Sequence, residues 1–238
     1  MARVRAVLMD LEGTLYASGR AIEGAAQAVQ RLREAGTMLR FLTNTDSRDV
    51  EDIAESVRQL GIPVAAEELF TPLEAARTLI AGRPGARVLA LLPPRLGSQS
   101  AGLSGAVASS GAYTHVVVGD VREVLDYPVL DAAFRAVRAG AELIALQRGR
   151  YFMRDDGEHV DTGAVVAALE YAAGVQAWVV GKPSVDFFAA AAASAGVPLP
   201  DCLVVGDDVS TDIAGGRDAG ARTVLVRTGK YADQVREG

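Results

Sequence analysis

The stretch from Arg5 to Leu15, which reads RAVLMDLEGTL, limits what this chain can fold into more than any other stretch. Residues 4–9 form an apolar run rich in β-forming side chains, which is typical of a strand buried on both faces. The run stops at Asp10, and Gly13 then lets the chain turn sharply. Open α/β sheets bind their ligands at this end of their strands. An ordinary polar turn would look the same locally, so the other strands must decide between the two interpretations.

Helical and strand patterns alternate along the next part of the chain. Residues 22–35 have helical spacing and stop at Gly36, residues 39–42 form a second apolar run, and a further helix is indicated over 47–60. Strands and helices that alternate at this spacing predict a parallel α/β sheet.

The pattern changes near residue 79 and returns near residue 177. The residues between include a stretch rich in glycine and serine over 97–111 and a predicted hairpin turn at 154–157. We therefore predict a Rossmann-like parallel-sheet core made of residues 1–78 and 177–238, with a second α/β domain, residues 79–176, inserted into it.

Three local expectations concern the later part of the chain. Thr162 is expected to cap a helix over 164–173, and a short helix is expected over 213–219. Trp178 is interpreted as a core side chain, because its large ring favours burial.

The composition argues against several classes of function. A net charge of −6 and the lack of a basic stripe argue against a nucleic-acid partner. No apolar run approaches the ~18 residues that a membrane span requires, so no membrane partner is expected. A single cysteine, Cys202, and the lack of a signal-peptide pattern indicate a cytoplasmic protein. With only two histidines besides, a zinc site is not expected, and any metal should be bound by oxygen ligands.

Polar side chains follow four of the predicted strands or turns. They are Asp10 with Glu12, Thr43 with Asn44, Lys182, and Asp207 with Asp208 and Asp212. Since the carboxyl ends of parallel strands lie at one edge of a sheet, these groups can converge. Several carboxylates in one place repel one another unless a cation lies among them. Mg²⁺ suits such oxygen ligands together with a substrate phosphate, whose remaining oxygens the hydroxyl, amide and ammonium groups can bind.

Four of these segments together resemble the ordered motifs of the haloacid dehalogenase (HAD) superfamily of aspartate-nucleophile phosphatases. The segments are DLEGTL at 10–15, FLTNT at 41–45, VVGKP at 179–183 and VVGDDVSTDI at 204–213. The insert resembles the class IIA arrangement, in which an α/β cap of the C2 type interrupts the core. ALEYAAGVQAWVVGKPS and RYFMRDDG are similar to segments of the branch that contains the phospholysine, phosphohistidine and inorganic pyrophosphate phosphatases.

The resemblance implies a role for each acidic residue. Asp10 would attack phosphorus and become an aspartyl phosphate. Asp10, the backbone carbonyl of Glu12 and Asp207 would bind Mg²⁺. Asp208 and Asp212 would support that ion from behind its direct ligands.

The resemblance also implies which residues bind the substrate. Thr43, Asn44 and Lys182 would bind the phosphoryl group during transfer. The loop over 147–161 in the insert is expected to select the substrate, because its charged and aromatic groups suit anionic or aromatic substrate parts. The candidate specificity side chains in that loop are Arg148, Arg150 and Tyr151.

One residue departs from the family's pattern. The usual motif has Asp at position 12, where its carboxyl protonates the leaving oxygen and then activates water, whereas this chain has Glu12. The longer side chain leaves that proton-transfer role open. We expect a Mg²⁺-dependent phosphatase for small phosphomonoesters or phosphoramidates. The alternative is a catalytically weak binding or regulatory protein on the HAD fold, and a homodimer stays open.

Overall fold

The computed structural model describes most of the chain, as residues 4–96, 103, 113–154, 156–231 and 234, with backbone alone for residues 153 and 154. The stretch over 97–111 lies outside these residues apart from Leu103, as does Asp155 of the predicted hairpin turn. The chain divides into two compact units. The first contains Met1–Thr43, Val50–Thr71 and Lys182–Gly238, and the second contains Asn44–Asp49 and Pro72–Gly181.

Helices and strands alternate along most of the described chain. Up to residue 81 the elements are β1 (Ala6–Asp10), β2 (Tyr16–Ala17), β3 (Arg20–Ala21), α1 (Ala25–Glu34), β4 (Met38–Leu42), α2 (Val50–Gln59), β5 (Leu69–Phe70) and α3 (Pro72–Ala81). They are followed by β6 (Val88–Leu91), β7 (His115–Val118), α4 (Tyr127–Arg138), β8 (Glu142–Ala145), β9 (Tyr151–Arg154), β10 (Gly157–Val160), α5 (Thr162–Ala173) and β11 (Trp178–Val179). The remaining elements are α6 (Val185–Ser194), β12 (Cys202–Gly206), a π-helix (Val209–Ala214), α7 (Gly215–Asp218) and β13 (Arg222–Leu225).

The first unit is built on a five-stranded sheet in the order β13-β12-β1-β4-β5. All four neighbouring pairs are parallel, so the carboxyl ends of these strands lie at one edge of the sheet. Every residue of β1 is buried, as the continuous apolar run predicts for a central strand. Full burial of a side chain such as Leu8 contributes about 1.5–3 kcal/mol, which is enough to fix this run in the middle of the sheet.

Helices pack against the first sheet through apolar side chains. Val29 of α1 and Ile53 of α2 join Met9 and Phe41 of the sheet in one buried cluster. In α6, the fully buried ring of Phe187 meets the ring of Phe70 edge-on, with 5.3 Å between the centroids. These contacts fix the position of β1 and β4 in the core, and therefore also that of the residues directly after them.

The second unit has its own parallel sheet in the order β11-β8-β7-β6. Val116 and Val118 of β7 pack with Ala133 and Val137 of α4 and with Leu169 of α5 in a separate buried cluster. β9 and β10 form an antiparallel hairpin outside that sheet, with Gly157 opposite Arg154. The fold is therefore α/β throughout, as predicted.

The boundaries of the two units differ from those of the predicted domains. Residues 72–78 and 177–181, which the sequence analysis assigns to the core, cluster with the second unit. The reason is pairing: β11 forms its hydrogen bonds with β8, so that Trp178 lies opposite Ile144. Helix α3 also clusters with the second unit. Loop 44–49, also assigned to the core from sequence, belongs to the second unit as well.

Two local predictions are wrong. Trp178 is 38 % exposed rather than a core residue, because β11 is an edge strand, and the guanidinium of Arg83 lies 5.1 Å from its ring centroid. Asp161, not Thr162, caps α5, by accepting a hydrogen bond of 2.8 Å from the Thr162 amide. The Thr162 hydroxyl is engaged elsewhere, since it donates to Asp46.

No helix in the described part of the chain combines the length and the apolar character that crossing a bilayer requires.

Candidate active site

Three polar residues lie at the carboxyl ends of adjacent strands of the first sheet. Asp10 ends β1 and lies opposite Leu42, the last residue of β4, which Thr43 follows directly. On the other side, β12 ends at Gly206, and Asp207 comes next. The parallel register therefore brings these residues to the same edge of the sheet, although Asp207 is about two hundred residues away in sequence.

A buried group of carboxylates lies at this edge. Asp10, Asp207 and Asp212 each offer an oxygen atom, and these three atoms lie within 4.8 Å of one another. Each residue is at most 6 % exposed. The ammonium of Lys182 lies among them, with its Nζ 2.5 Å from Asp10 Oδ1 and 2.7 Å from Asp212 Oδ1. Residues from three separated parts of the chain thus form one charged cluster.

The π-helix explains how Asp212 reaches this cluster. A short helix lies within the predicted range 213–219, as α7, but the helical segment begins earlier than predicted, with the wider π-helical turns of Val209–Ala214. Asp208 caps them by accepting hydrogen bonds from the amides of Ser210 (2.8 Å) and Thr211 (3.0 Å). The Asp208 amide in turn donates to Asp212 Oδ2 at 3.3 Å. Such π-helical turns are frequent at functional sites.

Burial and charge set the protonation of the cluster. Burial raises the pKa of Asp10, while the neighbouring charge and hydrogen bond of Lys182 oppose that rise. For Lys182, burial lowers the pKa, but the carboxylates of Asp10 and Asp212 outweigh it and leave the pKa above its usual value. Lys182 is therefore a fixed positive charge in the site.

Asp208 has a different environment from the three clustered carboxylates. Burial would raise its pKa, but hydrogen bonds from Ser210 and Gln234 hold the pKa well below its usual value. Lys230 Nζ also lies 3.1 Å from Asp208 Oδ2. Asp208 is therefore an ionised helix cap next to the cluster.

Sequence reasoning missed residues that contact the cluster or the loop that follows β1. The hydroxyl of Thr14 lies 3.2 Å from Asp10 Oδ2 and 3.5 Å from Asp207 Oδ1. The backbone amide of Lys230 donates to Asp207 Oδ2 at 2.7 Å, and the hydroxyl of Thr228 donates to the carbonyl of Gly13 at 2.5 Å. Thr14 lies inside the DLEGTL motif, which could have drawn attention to it. No local pattern marks Thr228 or Lys230.

Three further predicted site residues follow β1 and β4, namely Glu12, Thr43 and Asn44. Glu12 is exposed, pairs through its backbone with Tyr16, and has no hydrogen-bond partner for its carboxylate among the described residues. Thr43 is buried, and its amide donates to the carbonyl of Phe70 at 3.3 Å. Asn44 is half-buried and belongs to the second unit. Of the predicted site residues, the structure brings together Asp10, Lys182, Asp207 and Asp212. Asp208 contacts this group through the hydrogen bond from its amide to Asp212.

The predicted specificity residues lie in the second unit. Arg148, Arg150 and Tyr151 are all exposed, and Arg148 donates a hydrogen bond of 2.7 Å to Glu170, a buried acid on α5. At the base of the same loop, Gln147 donates to Asp161 at 2.9 Å. Arg148 thus has a buried acidic partner, although its side chain is accessible like the other two.

Asp46 is a buried acid of the second unit that the sequence analysis did not single out. Its Oδ2 accepts a hydrogen bond of 2.9 Å from Thr162. Burial raises the pKa of Asp46 to about 7, and the nearby charges of Asp161 and Asp120 add to the rise. This contact anchors loop 44–49, which begins with Asn44, to the start of α5.

The donor set of the cluster fits a magnesium ion. Three carboxylates and one ammonium leave a net charge of −2 when all are ionised, and a divalent cation would balance that charge. All the side-chain donors are hard oxygen atoms, which Mg²⁺ prefers. Burial among like charges is otherwise unfavourable, and these three carboxylates could hold a cation.

Comparisons with known proteins agree with this geometry. Residues 7–102 match a family described as haloacid dehalogenase-like hydrolase, and residues 179–237 match one described as HAD-hydrolase-like. The chain is 38 % identical over 228 residues to haloacid dehalogenase-like hydrolase domain-containing protein 2 from Homo sapiens, covering 96 % of this chain and 86 % of that protein. It belongs to the haloacid dehalogenase-like hydrolases.

Other members of the HAD superfamily carry the names of specific phosphatases. The chain is 38 % identical over 235 residues to the phospholysine phosphohistidine inorganic pyrophosphate phosphatase of Xenopus laevis, which covers 96 % of this chain and 85 % of that protein. A mutant of the thermostable p-nitrophenylphosphatase from Bacillus stearothermophilus has a similar structure, with a TM-score of 0.86 and 29 % identity over 100 % of this chain and 93 % of that one. The predicted HAD fold, with its inserted α/β cap of the C2 type, is therefore confirmed, and the chain is an enzyme of this hydrolase family.

Proposed function

We propose that this HAD-family phosphatase hydrolyses small phosphomonoesters or phosphoramidates with Mg²⁺, through a phosphorylated Asp10. The observation that carries the proposal is the buried Asp10 at the end of β1, in contact with Lys182 and within 4.8 Å of two further carboxylates. A carboxylate at this point has the support that a nucleophile needs, namely a fixed geometry and positive charge beside it.

Asp10 would act as the nucleophile in the first step. A carboxylate oxygen forms a bond to phosphorus as the bond from phosphorus to the leaving oxygen or nitrogen breaks, and the leaving group takes up a proton. In the second step, the oxygen of a water molecule forms a bond to the same phosphorus as the bond from phosphorus to the Asp10 oxygen breaks. Inorganic phosphate leaves, the protons of the water pass to it or to solvent, and the Asp10 carboxylate is restored. This route divides one difficult displacement into two easier ones.

Asp10, Asp207 and the backbone carbonyl of Glu12 are the proposed ligands of the ion, with Asp212 and Asp208 supporting them. When bound, Mg²⁺ would supply positive charge against the phosphate oxygens and against the clustered carboxylates. Lys182 contributes in the same sense, because it is held in place by Asp10 and Asp212 and stays charged.

The transferring phosphoryl group needs donors around its oxygen atoms. Lys182 would bind one oxygen as a point charge. Thr43 and, next to it in the chain, Asn44 would bind others through the hydroxyl and amide groups. Catalysis of phosphoryl transfer depends mainly on such positioning and charge stabilisation.

Glu12 is the proposed acid for the leaving group. Its carboxylate is exposed and has no hydrogen-bond partner among the described residues, so it can move toward an incoming substrate. The substrates that depend least on this acid are those with good leaving groups, as well as phosphoramidates whose nitrogen is already protonated. The names of the Xenopus laevis relative, which include phospholysine and phosphohistidine, support the inclusion of such P–N substrates.

The experiment is a hydrolysis assay over a panel of small phosphorylated compounds, each measured with and without Mg²⁺. The panel includes p-nitrophenyl phosphate, phospholysine, phosphohistidine and pyrophosphate. We expect release of phosphate that depends on Mg²⁺ for at least one compound. Binding of these compounds without turnover would instead support the alternative, a regulatory protein that has lost catalysis through the change at Glu12.

A further inference from the structure

A short turn follows β13 and lies against the carboxylate cluster. The ladder between β12 and β13 is extended by a hydrogen bond of 2.9 Å from the Val226 amide to the carbonyl of Gly206. The chain then turns at residues 228–230, where the Tyr231 amide donates to the Thr228 carbonyl at 3.3 Å. We call these three residues the 228–230 turn. Its position follows from the strand, since β13 lies next to the strand that ends at Asp207.

The turn binds one carboxylate oxygen of Asp207, and the other oxygen lies on the side of Thr14 and Asp10. The Lys230 amide donates to Asp207 Oδ2 at 2.7 Å. Asp207 Oδ1 lies 3.5 Å from the hydroxyl of Thr14, and that hydroxyl is 3.2 Å from Asp10 Oδ2. The described hydrogen bonds to Asp207 thus come from a peptide N–H and a neutral hydroxyl. The ammonium of Lys182, in contrast, bonds to Asp10 and Asp212.

The same turn holds the loop that follows β1. The hydroxyl of Thr228 donates to the carbonyl of Gly13 at 2.5 Å. Gly13 directly follows Glu12, whose backbone carbonyl is a proposed ligand of the cation. One turn therefore contacts Asp207, a proposed ligand, and Gly13, the residue that directly follows the proposed ligand at Glu12.

Two glycines make this close approach possible. A Cβ atom at Gly229 would collide with the carboxylate of Asp207 and with the backbone of Gly13. A Cβ atom at Gly13 would collide with the same carboxylate. Both glycines have a positive φ, which is +55° at Gly229 and +90° at Gly13. The carboxylate of Asp207 is therefore enclosed between two backbone segments, with little freedom to rotate.

We propose that the 228–230 turn is a positioning element for the cation site, in which the Lys230 amide holds Asp207 and the Thr228 hydroxyl holds the loop after β1. The inference rests on the proposed function, because it assumes that the cluster binds Mg²⁺. A carboxylate that is already oriented loses less conformational freedom when the cation binds, so the turn should increase the affinity for Mg²⁺. Lys230 and Thr228 act through other residues and need not touch substrate.

The test compares the affinity for Mg²⁺ of four purified full-length proteins by calorimetric titration without substrate. Lys230→Pro removes the amide donor, while Lys230→Ala removes the same side chain and keeps the amide, which makes it the matched control. Thr228→Val removes the hydroxyl with little change in shape and serves if Lys230→Pro does not fold. Thermal unfolding of each ion-free protein reports stability separately.

We expect the affinity for Mg²⁺ to fall only in the variants that lose a hydrogen-bond donor of the turn. Lys230→Pro should bind Mg²⁺ about tenfold more weakly or worse, since a hydrogen bond to a charged group is lost. Thr228→Val should also bind more weakly, and Lys230→Ala should bind no more weakly than the unaltered protein. Equal affinity of Lys230→Pro and Lys230→Ala, or of Thr228→Val and the unaltered protein, would overturn the inference while leaving the proposed function intact. Absence of Mg²⁺ binding by the unaltered protein would refute the proposed cation site itself.

Discussion

Lys182 donates a hydrogen bond from its buried ammonium to the carboxylate of Asp10, although 172 residues separate the two in sequence. The contact joins the first strand of the chain to a residue that lies shortly before α6, after the whole inserted unit in sequence. It gives the proposed nucleophile a permanent positive neighbour. Within the part of the chain that the structure describes, the ion pairs of Asp10 and Asp212 both depend on this one ammonium.

Replacement of Lys182 by methionine should destabilise the ion-free protein. Two buried carboxylates would lose their partner, and breaking a buried pair in this way typically costs about 3–5 kcal/mol. Denaturant unfolding at neutral pH measures the loss. The matched control is the double variant Lys182→Met/Asp212→Asn, which also removes one negative charge and should recover part of the stability. A single variant as stable as the unaltered protein would contradict a structural role for the pair.

Asp46 should make the stability of the protein depend on pH. Its pKa is about 7 in the folded protein against 3.8 for the unperturbed group, so the folded state favours the protonated carboxyl. The contribution of Asp46 is complete below pH ~4 and is lost as the pH rises through about 7, by up to about 1.4 kcal/mol per pH unit. Asp46→Asn keeps an acceptor for Thr162 and should remove this slope. Unfolding free energies of both proteins from pH 4 to pH ~8 give the difference, and parallel curves would contradict the prediction.

Arg148, Arg150 and Tyr151 should separate into two groups. Arg148→Ala should lower stability, because it leaves the buried acid Glu170 without its cationic partner. Arg150→Ala and Tyr151→Ala should instead change the relative rates across the substrate panel, because both side chains are exposed in the loop that we propose selects the substrate. Rates for each substrate and thermal unfolding of each variant check both effects. An unchanged order of substrates in all three variants would mean that this loop does not select.

Glu12→Gln should slow substrates with poor leaving groups more than p-nitrophenyl phosphate, whose leaving group needs little protonation. A positioned acid typically contributes about 10²- to 10⁴-fold, and only substrates that need the proton should lose this factor. Affinity for Mg²⁺ should change little, because the proposed ligand at this position is the backbone carbonyl. Glu12→Asp, with the shorter acid, serves as the control that keeps the carboxyl. Equal losses for all substrates would exclude Glu12 as the leaving-group acid, and a large fall in Mg²⁺ affinity would indicate a carboxylate ligand.

Much of the sheet and its polar edge could be predicted from sequence for a local reason. The runs that become β1 and β12 are apolar without alternation, which indicates strands covered on both faces, and each stops at a polar residue. Since all these strands are parallel, the positions of Asp10 and Asp207 in the sequence were enough to place them at one edge. The burial of Cys202, on the same strand, also agrees with its interpretation as a small apolar residue.

The rest depends on contacts that no local pattern encodes. β11 looks like any short apolar strand, and only its pairing with β8 assigns it to the second unit. The hydrogen bond between Asp46 and Thr162 spans 116 residues, and that between Thr228 and Gly13 spans 215. The π-helix escaped prediction because its spacing differs from that of an α-helix by about one residue per turn. These features arise from tertiary packing rather than from the periodicity of the residues involved.

The most direct test of the account is to trap the phosphorylated protein. The enzyme is mixed with Mg²⁺ and a radiolabelled substrate, quenched in acid during turnover, digested, and analysed for label by peptide. We predict label on the peptide that contains Asp10, and none in Asp10→Asn, which should fold normally and lose about 10³-fold or more in kcat. Label on another residue, or near-normal turnover by Asp10→Asn, would contradict the proposal that Asp10 is the nucleophile.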